Sequence, residues 1–266
     1  MDLHARNSGL RDKLVAERDV VLTYALRALL DAGVAGHLAF KGGTCLRKLV
    51  FGSSGRFSED LDFTLDSDRP EDDVLTEIVE VFNGEHHGIT FIFDEYYQTD
   101  DDTSFGGDVQ YRHSWNDAGR FRLQVSLRER PTLAVVSRAM QHQAYFNHLE
   151  FERFHVRSLE PIEMIAEKVR AAFQRAKVRD PFEPEVFFTK LRSGVYDWAD
   201  IQRLVRTSER IEPDEILASV EGHFAAFRQL TELEQRVIAD AKSGWNEPLA
   251  ERLRSEIREL AAREAS

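Results

Sequence analysis

Two short segments of this chain hold residue types that do chemistry together. The first, His37-Leu38-Ala39-Phe40-Lys41-Gly42-Gly43-Thr44-Cys45-Leu46-Arg47-Lys48, reads as an apolar strand running into a Gly-Gly turn and then an amphipathic segment. Such a turn leaves the backbone N–H groups of a helix start unpaired, and together with the helix dipole they suit an anion. The second, Arg56-Phe57-Ser58-Glu59-Asp60-Leu61-Asp62-Phe63, sets two carboxylates at i and i+2. On a strand Asp60 and Asp62 emerge on one face while Leu61 and Phe63 point to the other. Oxygen-only ligands suit Mg²⁺, with Mn²⁺ as the alternative, because such a cation takes few protein carboxylates and completes its shell with water and substrate phosphates. The two segments together imply a site for a nucleoside triphosphate and a metal.

Within that site Asp60 and Asp62 are the expected metal ligands. The backbone of Gly42, Gly43 and Thr44 is expected to meet the triphosphate, with Ser58, two residues before Asp60, able to hydrogen-bond it. Arg56 and Lys48 fit as phosphate clamps, and each reads equally as a surface charge. Lys41 either faces phosphate or forms a salt bridge on the sheet edge.

Each segment alone is common. A lone Gly-Gly is a plain turn without Walker spacing, and a lone Asp-x-Asp is a solvated strand face. In the order strand, Gly-Gly turn, helix, short basic loop and Asp-x-Asp strand, the two resemble the site of polymerase-β-like nucleotidyltransferases. More narrowly, Lys41-Gly-Gly-Thr-Cys-Leu and Gly55-Arg-Phe-Ser-Glu-Asp-Leu-Asp-Phe63 are similar to the opening motifs of the AbiEii/AbiGii (MenT-type) nucleotidyltransferase toxins. Leu159-Glu-Pro161-Ile-Glu163-Met-Ile-Ala166-Glu-Lys168 resembles that family's Leu-x-Pro-x-Glu-x-x-Ala-x-Lys element. Arg175-Ala-Lys177-Val-Arg179-Asp180 resembles the Arg-Asp element after it. The blocks stand in family order and leave the C-terminal part of the chain without support.

The resemblance implies an α+β fold, with a polymerase-β-like core of mixed sheet flanked by helices and a helical C-terminal domain. It implies metal-dependent transfer of a nucleotide from an NTP to RNA, with the 3′ acceptor end of tRNA as the expected acceptor and a cognate antitoxin encoded by an adjacent gene. It gives Lys168 contact with the triphosphate and Asp180 a part in catalysis or in orienting that lysine. Two departures stand out. Glu183 occupies the position of a second family aspartate, between Pro181 and Pro184. In the segment Arg122-Leu-Gln124-Val-Ser126-Leu-Arg128-Glu129, glutamine stands where an acid often activates the attacking hydroxyl; either Asp180 or Glu129 serves instead, or the metal and binding geometry suffice, or activity is reduced. A competing reading is a nucleotide-binding interaction module whose catalysis has lapsed; another is a nucleotidyltransferase acting on a protein or small metabolite.

Composition sets outer bounds. With 266 residues, 42% of them hydrophobic, the chain can bury a substantial core. A net charge of −12 argues against a protein that coats nucleic acid non-specifically, although Arg112, Arg120, Arg122, Arg128 and Arg130, and then Lys168 to Arg179, are basic clusters. Cys45 is the single cysteine, which excludes an intramolecular disulfide and a cysteine-based zinc cluster. No signal-peptide pattern or transmembrane-length apolar run is apparent, so the expected location is cytoplasmic, with no membrane partner.

The elements that must position the site follow from periodicity. Residues 8–32 carry apolar positions at helical spacing and end at Gly33; Pro70 opens a second helix. Ile89–Phe93, Val109–Trp115 and Arg120–Arg130 are β-rich, with Asn116-Asp-Ala-Gly119 as the expected hairpin turn, and Phe151–Leu159 adds a strand near the domain edge. In that hairpin Gln124 should share a face with Arg122 and Ser126, toward the metal strand. Beyond Pro161 the pattern is helical, with candidates at 161–179, 184–194, 197–208, 213–229, 232–242 and 247–264. On the first of these, Ile162, Ile165, Val169, Phe173 and Ala176 form an apolar stripe bordered by Lys168, Arg175 and Arg179. The expected domains are residues 1–156, the nucleotidyltransferase core, and 157–266, a helical domain whose first helix packs back over the site.

Overall fold

The computed structural model describes residues 13–54, 57–99, 103–114, 116–128, 130–174, 198–205 and 247–264, with positions 218, 221, 225, 228 and 229. It divides into two compact units, Met1–Glu160 and Pro161–Ser266.

The first unit opens with helix α1 (Lys13–Asp31), whose buried residues include Val20, Val21, Leu22, Leu26 and Leu29, as the apolar spacing predicts. Gly33 follows in the left-handed conformation that a helix stop favours, with φ 80°. Strand β1 (Leu38–Lys41) then leads into a short helical turn, α2 (Gly42–Cys45), which widens into a π-type turn over Leu46–Phe51. After β2 (Asp60–Leu65) comes α3 (Glu71–Val81), with three acids in its first turn and Pro70 at its N-cap. The remaining strands are β3 (Glu85–His86), β4 (Ile89–Gln98), β5 (Ser104–His113), β6 (Asn116–Ser126), β7 (Val136–Ala139) and β8 (His155–Ser158).

These strands form one mixed sheet in the order β3-β4-β5-β6-β2-β1-β8-β7. The pairs are antiparallel except for β2 with β6 and β1 with β8. The strand that opens the metal motif is therefore interior, between an antiparallel and a parallel neighbour. Alternation gives the sheet two unlike faces. Phe91, Val109, Phe121, Leu123, Val125, Leu61 and Phe63 are buried on one of them. Phe82, Phe91 and Phe121 meet edge-to-face at 5.5 to 6.3 Å, and Phe40 lies 5.2 Å from Phe63.

One sequence expectation changes. The hairpin between β5 and β6 turns earlier than Asn116–Gly119, since His113 already pairs with Asn116 and Tyr111 with Gly119. Gly119 reads as a turn residue but acts by its lack of a side chain: a Cβ there would fall on the Tyr111 ring. The strand expected near the edge, β8, lies next to the edge strand β7, in agreement with that expectation. Arg157 of β8 ties the sheet end together through the Gly36 carbonyl and the Asp66 carboxylate, the latter at 2.6 Å.

In the second unit α4 (Pro161–Gln174) and α5 (Trp198–Val205) pack together, burying Met164, Ile165, Val169, Trp198, Ile201 and Leu204. A long helix, α6 (Glu247–Glu264), carries Arg254, which is bonded to Glu221 and Glu251. The expected helices at 184–194 and 232–242 lie outside the described residues. No described helix is long and apolar enough to cross a membrane.

Candidate active site

Asp60 and Asp62 stand on the same face of β2, both half-buried, with Leu61 and Phe63 buried behind them. Asp62 is flanked in register by Lys41 of β1 on one side and Gln124 of β6 on the other; Asp60 lies beside Arg122. Gln124 thus shares the face of Asp60 and Asp62 with Arg122 and Ser126, as the sequence predicts. Among the described residues no group of three or more His, Cys, Asp or Glu side chains could hold a metal. The position beside Asp62 on β6 carries an amide, not a third carboxylate.

The Gly-Gly turn closes onto this pair. Gly42 has φ 78°, and a Cβ on it would fall onto the Asp62 carboxylate. Glycine is required twice over, for the left-handed backbone and for the close approach. Thr44 is buried, and its hydroxyl donates to the Asp60 carbonyl at 2.6 Å. The turn and the carboxylate strand are therefore bonded together, and the Thr44 side chain is engaged in that joint rather than turned toward a ligand. Two carboxylates on one face, with a bare glycine backbone against one of them, fit a hard divalent cation and the phosphates that would share its shell.

Lys48 corrects the sequence reading. Expected as a phosphate clamp, it is only 1% exposed, and its Nζ lies 2.7 Å from the Asp19 carbonyl, 3.1 Å from Asp19 Oδ1, 2.9 Å from Thr23 Oγ1 and 3.3 Å from Tyr145 Oη. Arg47 Nε shares Asp19 Oδ1 at 3.1 Å, and its guanidinium sits 3.7 Å from the centroid of Phe57. The segment after the Gly-Gly turn directs both cations inward, where α1 offers a buried acceptor. Burial holds the Lys48 ammonium below the usual lysine range, with Asp19 opposing that shift. Burial likewise pushes the Tyr145 phenol well above its ordinary value.

The same helix holds the loop before Asp60. Phe57 packs on Ala16 with Val15, and Glu59 pairs with Arg18 at 3.0 Å. A buried Glu17–His113 pair at 3.0 Å joins α1 to β5. Cys45 is fully buried, donates weakly to the Phe40 carbonyl at 3.4 Å, and burial pushes its thiol well above the ordinary range. It is a packing residue.

The remaining expected residues are distributed as follows. Lys41 lies on an interior strand, in register with Asp62. Ser58 is buried just before β2. Lys168 is half-buried on α4, two turns from Pro161, with Glu163 and Val169 buried nearby in sequence. Arg56, Glu129, Arg175, Arg179, Asp180 and Glu183 lie outside the described residues. What sequence reading missed was the anchoring set of Asp19, Thr23 and Tyr145; the available signal was an acid and a threonine within the apolar pattern of α1.

A sheet carrying an Asp-x-Asp strand against a Gly-Gly turn is the arrangement expected of a nucleotidyltransferase, and comparison with known proteins gives that family. The model of the nucleotidyl transferase AbiEii toxin family, of type IV toxin–antitoxin systems, matches residues 24–265, and the chain belongs to that family. Among solved structures it is similar to MenT4, a nucleotidyltransferase toxin from Mycobacterium tuberculosis H37Rv, at 22% identity and a TM-score of 0.64 over 97% of this chain and 98% of that one. That likeness supports the α+β fold. No curated protein matches this chain.

Proposed function

We propose that this toxin transfers a nucleoside monophosphate from an NTP to RNA, with the 3′ acceptor end of tRNA as the acceptor, and that Asp60 and Asp62 hold the divalent metal, Mg²⁺ or alternatively Mn²⁺. The observation that carries this is the joint between the Gly-Gly turn and the carboxylate strand: Gly42 against Asp62, and Thr44 bonded to the Asp60 carbonyl. When bound, a divalent cation neutralises phosphate charge and stabilises the entering and departing oxygens of an in-line displacement. The chain's own residues do the rest. The backbone N–H groups of Gly42, Gly43 and Thr44, with Ser58, Arg56 and Lys41, hold the triphosphate. Lys168 adds a further cation toward it, and Asp180 orients that lysine or accepts the proton of the attacking hydroxyl.

Gln124, beside Asp62, cannot accept that proton as a carboxylate, which leaves the role to Asp180 or Glu129 or to the geometry of the bound substrates. A cognate antitoxin, expected from the type IV family, completes the system. The cytoplasm, where NTPs and tRNA are plentiful, is the proposed site of action.

Purified protein incubated with each labelled NTP, a divalent cation and total RNA tests the proposal. Label in the tRNA band supports it. Label in protein or a small molecule instead overturns the RNA acceptor, and no label with any NTP favours a nucleotide-binding module without catalysis.

A further inference from the structure

The face bearing Asp60 and Asp62 does not end at β6. It continues across β5 and β4 as a series of lateral rows, because paired residues share a face. One row runs Lys41, Asp62, Gln124, Gly106, Tyr97; the next runs Asp60, Arg122, Asp108, Asp94; a third runs Arg120, Gln110, Ile92. The side chains of Arg120 and Arg122 are 73% and 60% exposed, and Arg112, farther along β5, is exposed too.

Tyr97 reaches this face only through an irregularity. Between Asp94 and Tyr97 the register against β5 shifts, with three steps on β4 set against two on β5, from Asp108 to Gly106. Without the extra residue Tyr97 would turn to the opposite face. Glu95 within the bulge has φ 48°, a left-handed backbone that non-glycine residues rarely adopt. Bulges beside active sites re-aim side chains in this way. The phenol then lies over Gly106, where a Cβ would stand 2.9 Å from Tyr97 Oη and 3.1 Å from Cζ. The core beneath is filled by Phe93 and Phe105, stacked at 5.8 Å, so Tyr97 is not needed there and remains 39% exposed.

In-line transfer sets the direction of approach. The attacking oxygen and the leaving pyrophosphate lie on opposite sides of the α-phosphorus. The Gly-Gly turn and Lys41 stand on the β1 side of Asp62, so the acceptor hydroxyl enters over β6. Two strand spacings separate Gly106 from Asp62, about 10 Å, a distance that a terminal nucleotide or two can span.

We infer that Tyr97 is a stacking platform for a base at the single-stranded end of the acceptor RNA, with Arg122 and Arg120 beside it contacting that strand's phosphates. The inference rests on the proposal that RNA is the acceptor. Unstacked bases of single-stranded ends lie on aromatic rings and guanidinium planes. One carboxylate, Asp108, is shared loosely by two guanidiniums, with Arg122 Nε at 3.5 Å and Arg120 Nη1 at 3.6 Å, and Asp94 is engaged by Gln110 at 2.7 Å. In an acidic protein, Arg112, Arg120 and Arg122 outnumber Asp94 and Asp108 on the β4–β6 part of the face. Its continuity with the carboxylate strand selects the reaction's own acceptor as occupant.

The test measures both transfer and binding with the full chain. Tyr97→Ala is expected to raise KM for RNA about tenfold or more while KM for the NTP stays at its wild-type value; Tyr97→Trp should restore the RNA KM. Arg122→Gln should lower the salt dependence of RNA binding by about 0.7 in the log–log slope, the contribution of one single-strand phosphate. Fluorescence anisotropy with a short 3′-hydroxyl RNA, single-stranded or blunt duplex, gives a reading independent of turnover. Single-strand binding that weakens in Tyr97→Ala, in a protein that transfers nothing to RNA, keeps the platform and sinks the proposed activity. Unchanged binding and RNA KM in a folded Tyr97→Ala protein overturn the platform and leave the activity standing. A raised NTP KM, or loss of a protein partner with RNA binding intact, also overturns it.

Discussion

Lys41 and Lys48 belong to one short motif and have opposite fates. Lys41 lies in register with Asp62 on the face where substrates are proposed to bind. Lys48 is sealed beneath that face, shared among Asp19, Thr23 and Tyr145. The open region sets cations and carboxylates side by side within reach of solvent or ligand. The closed region gathers two cations and one carboxylate where water does not reach. One motif can therefore join a proposed substrate contact to a scaffold residue, and residue type alone does not separate the two. Desolvation decides it: a buried cation is tolerable only with an acceptor built for it, and α1 supplies that acceptor.

The contrast predicts opposite outcomes for substitutions a few residues apart. Asp60→Asn or Asp62→Asn should leave the fold intact and slow transfer by at least ~4 kcal/mol, about a thousandfold; a wild-type rate in either purified variant would remove the metal assignment. Asp19→Leu should do the reverse, leaving two buried cations without their anion at about 3–5 kcal/mol of stability, seen as a lower denaturation midpoint. Gly42→Ala should lose activity and about 1–3 kcal/mol of stability, since it forces a left-handed backbone on alanine and drives Cβ into Asp62. Its thermal melt and transfer rate should fall together.

The smallest effect is expected at Lys48, and it sharpens the comparison most. Lys48→Met leaves Arg47 and Asp19 as a balanced pair, so transfer should stay near wild type and stability should change by no more than ~1 kcal/mol. A hundredfold loss of transfer in a folded Lys48→Met protein would restore the phosphate-clamp reading. The pH dependence has a definite sign. The folded-state value of Lys48 is depressed below 10.5, so below that depressed value the ammonium is charged in both states and its burial penalty is complete. As pH rises from there toward 10.5 the penalty disappears. Denaturation midpoints of wild type relative to Lys48→Met should therefore improve with rising pH in that window.

Much of the scaffold was legible because its signals are local. Alternation placed Asp60 and Asp62 on one face and Gln124 beside them, and helical spacing with Gly33 bounded α1. What escaped depends on distant partners. Lys48 and its acceptor are separated by 29 positions, and Tyr145 by 97, so nothing near Lys48 announces burial. Gly119 signalled a turn but serves the Tyr111 ring. Strands β3 and β7 are short and carry charged or polar residues, so their pairing comes from the sheet rather than from their own pattern. Tyr97 faces its row because of a bulge, and one inserted residue inverts what alternation predicts.

The parallel pairing of β1 with β8 bears on how the toxin is made. Phe40 takes Ser158 as its lateral partner and accepts a bond from the Leu159 amide at 3.1 Å, while Tyr145 caps the Lys48 cluster from the same late region. A growing chain emerging from the ribosome has its Gly-Gly turn and both carboxylates outside long before these supports arrive. Closure of so wide a loop comes late in folding. Truncated products ending before β8 carry both proposed metal ligands and lack the strand that flanks β1, and the proposed contributions of Lys168 and Asp180 come later still.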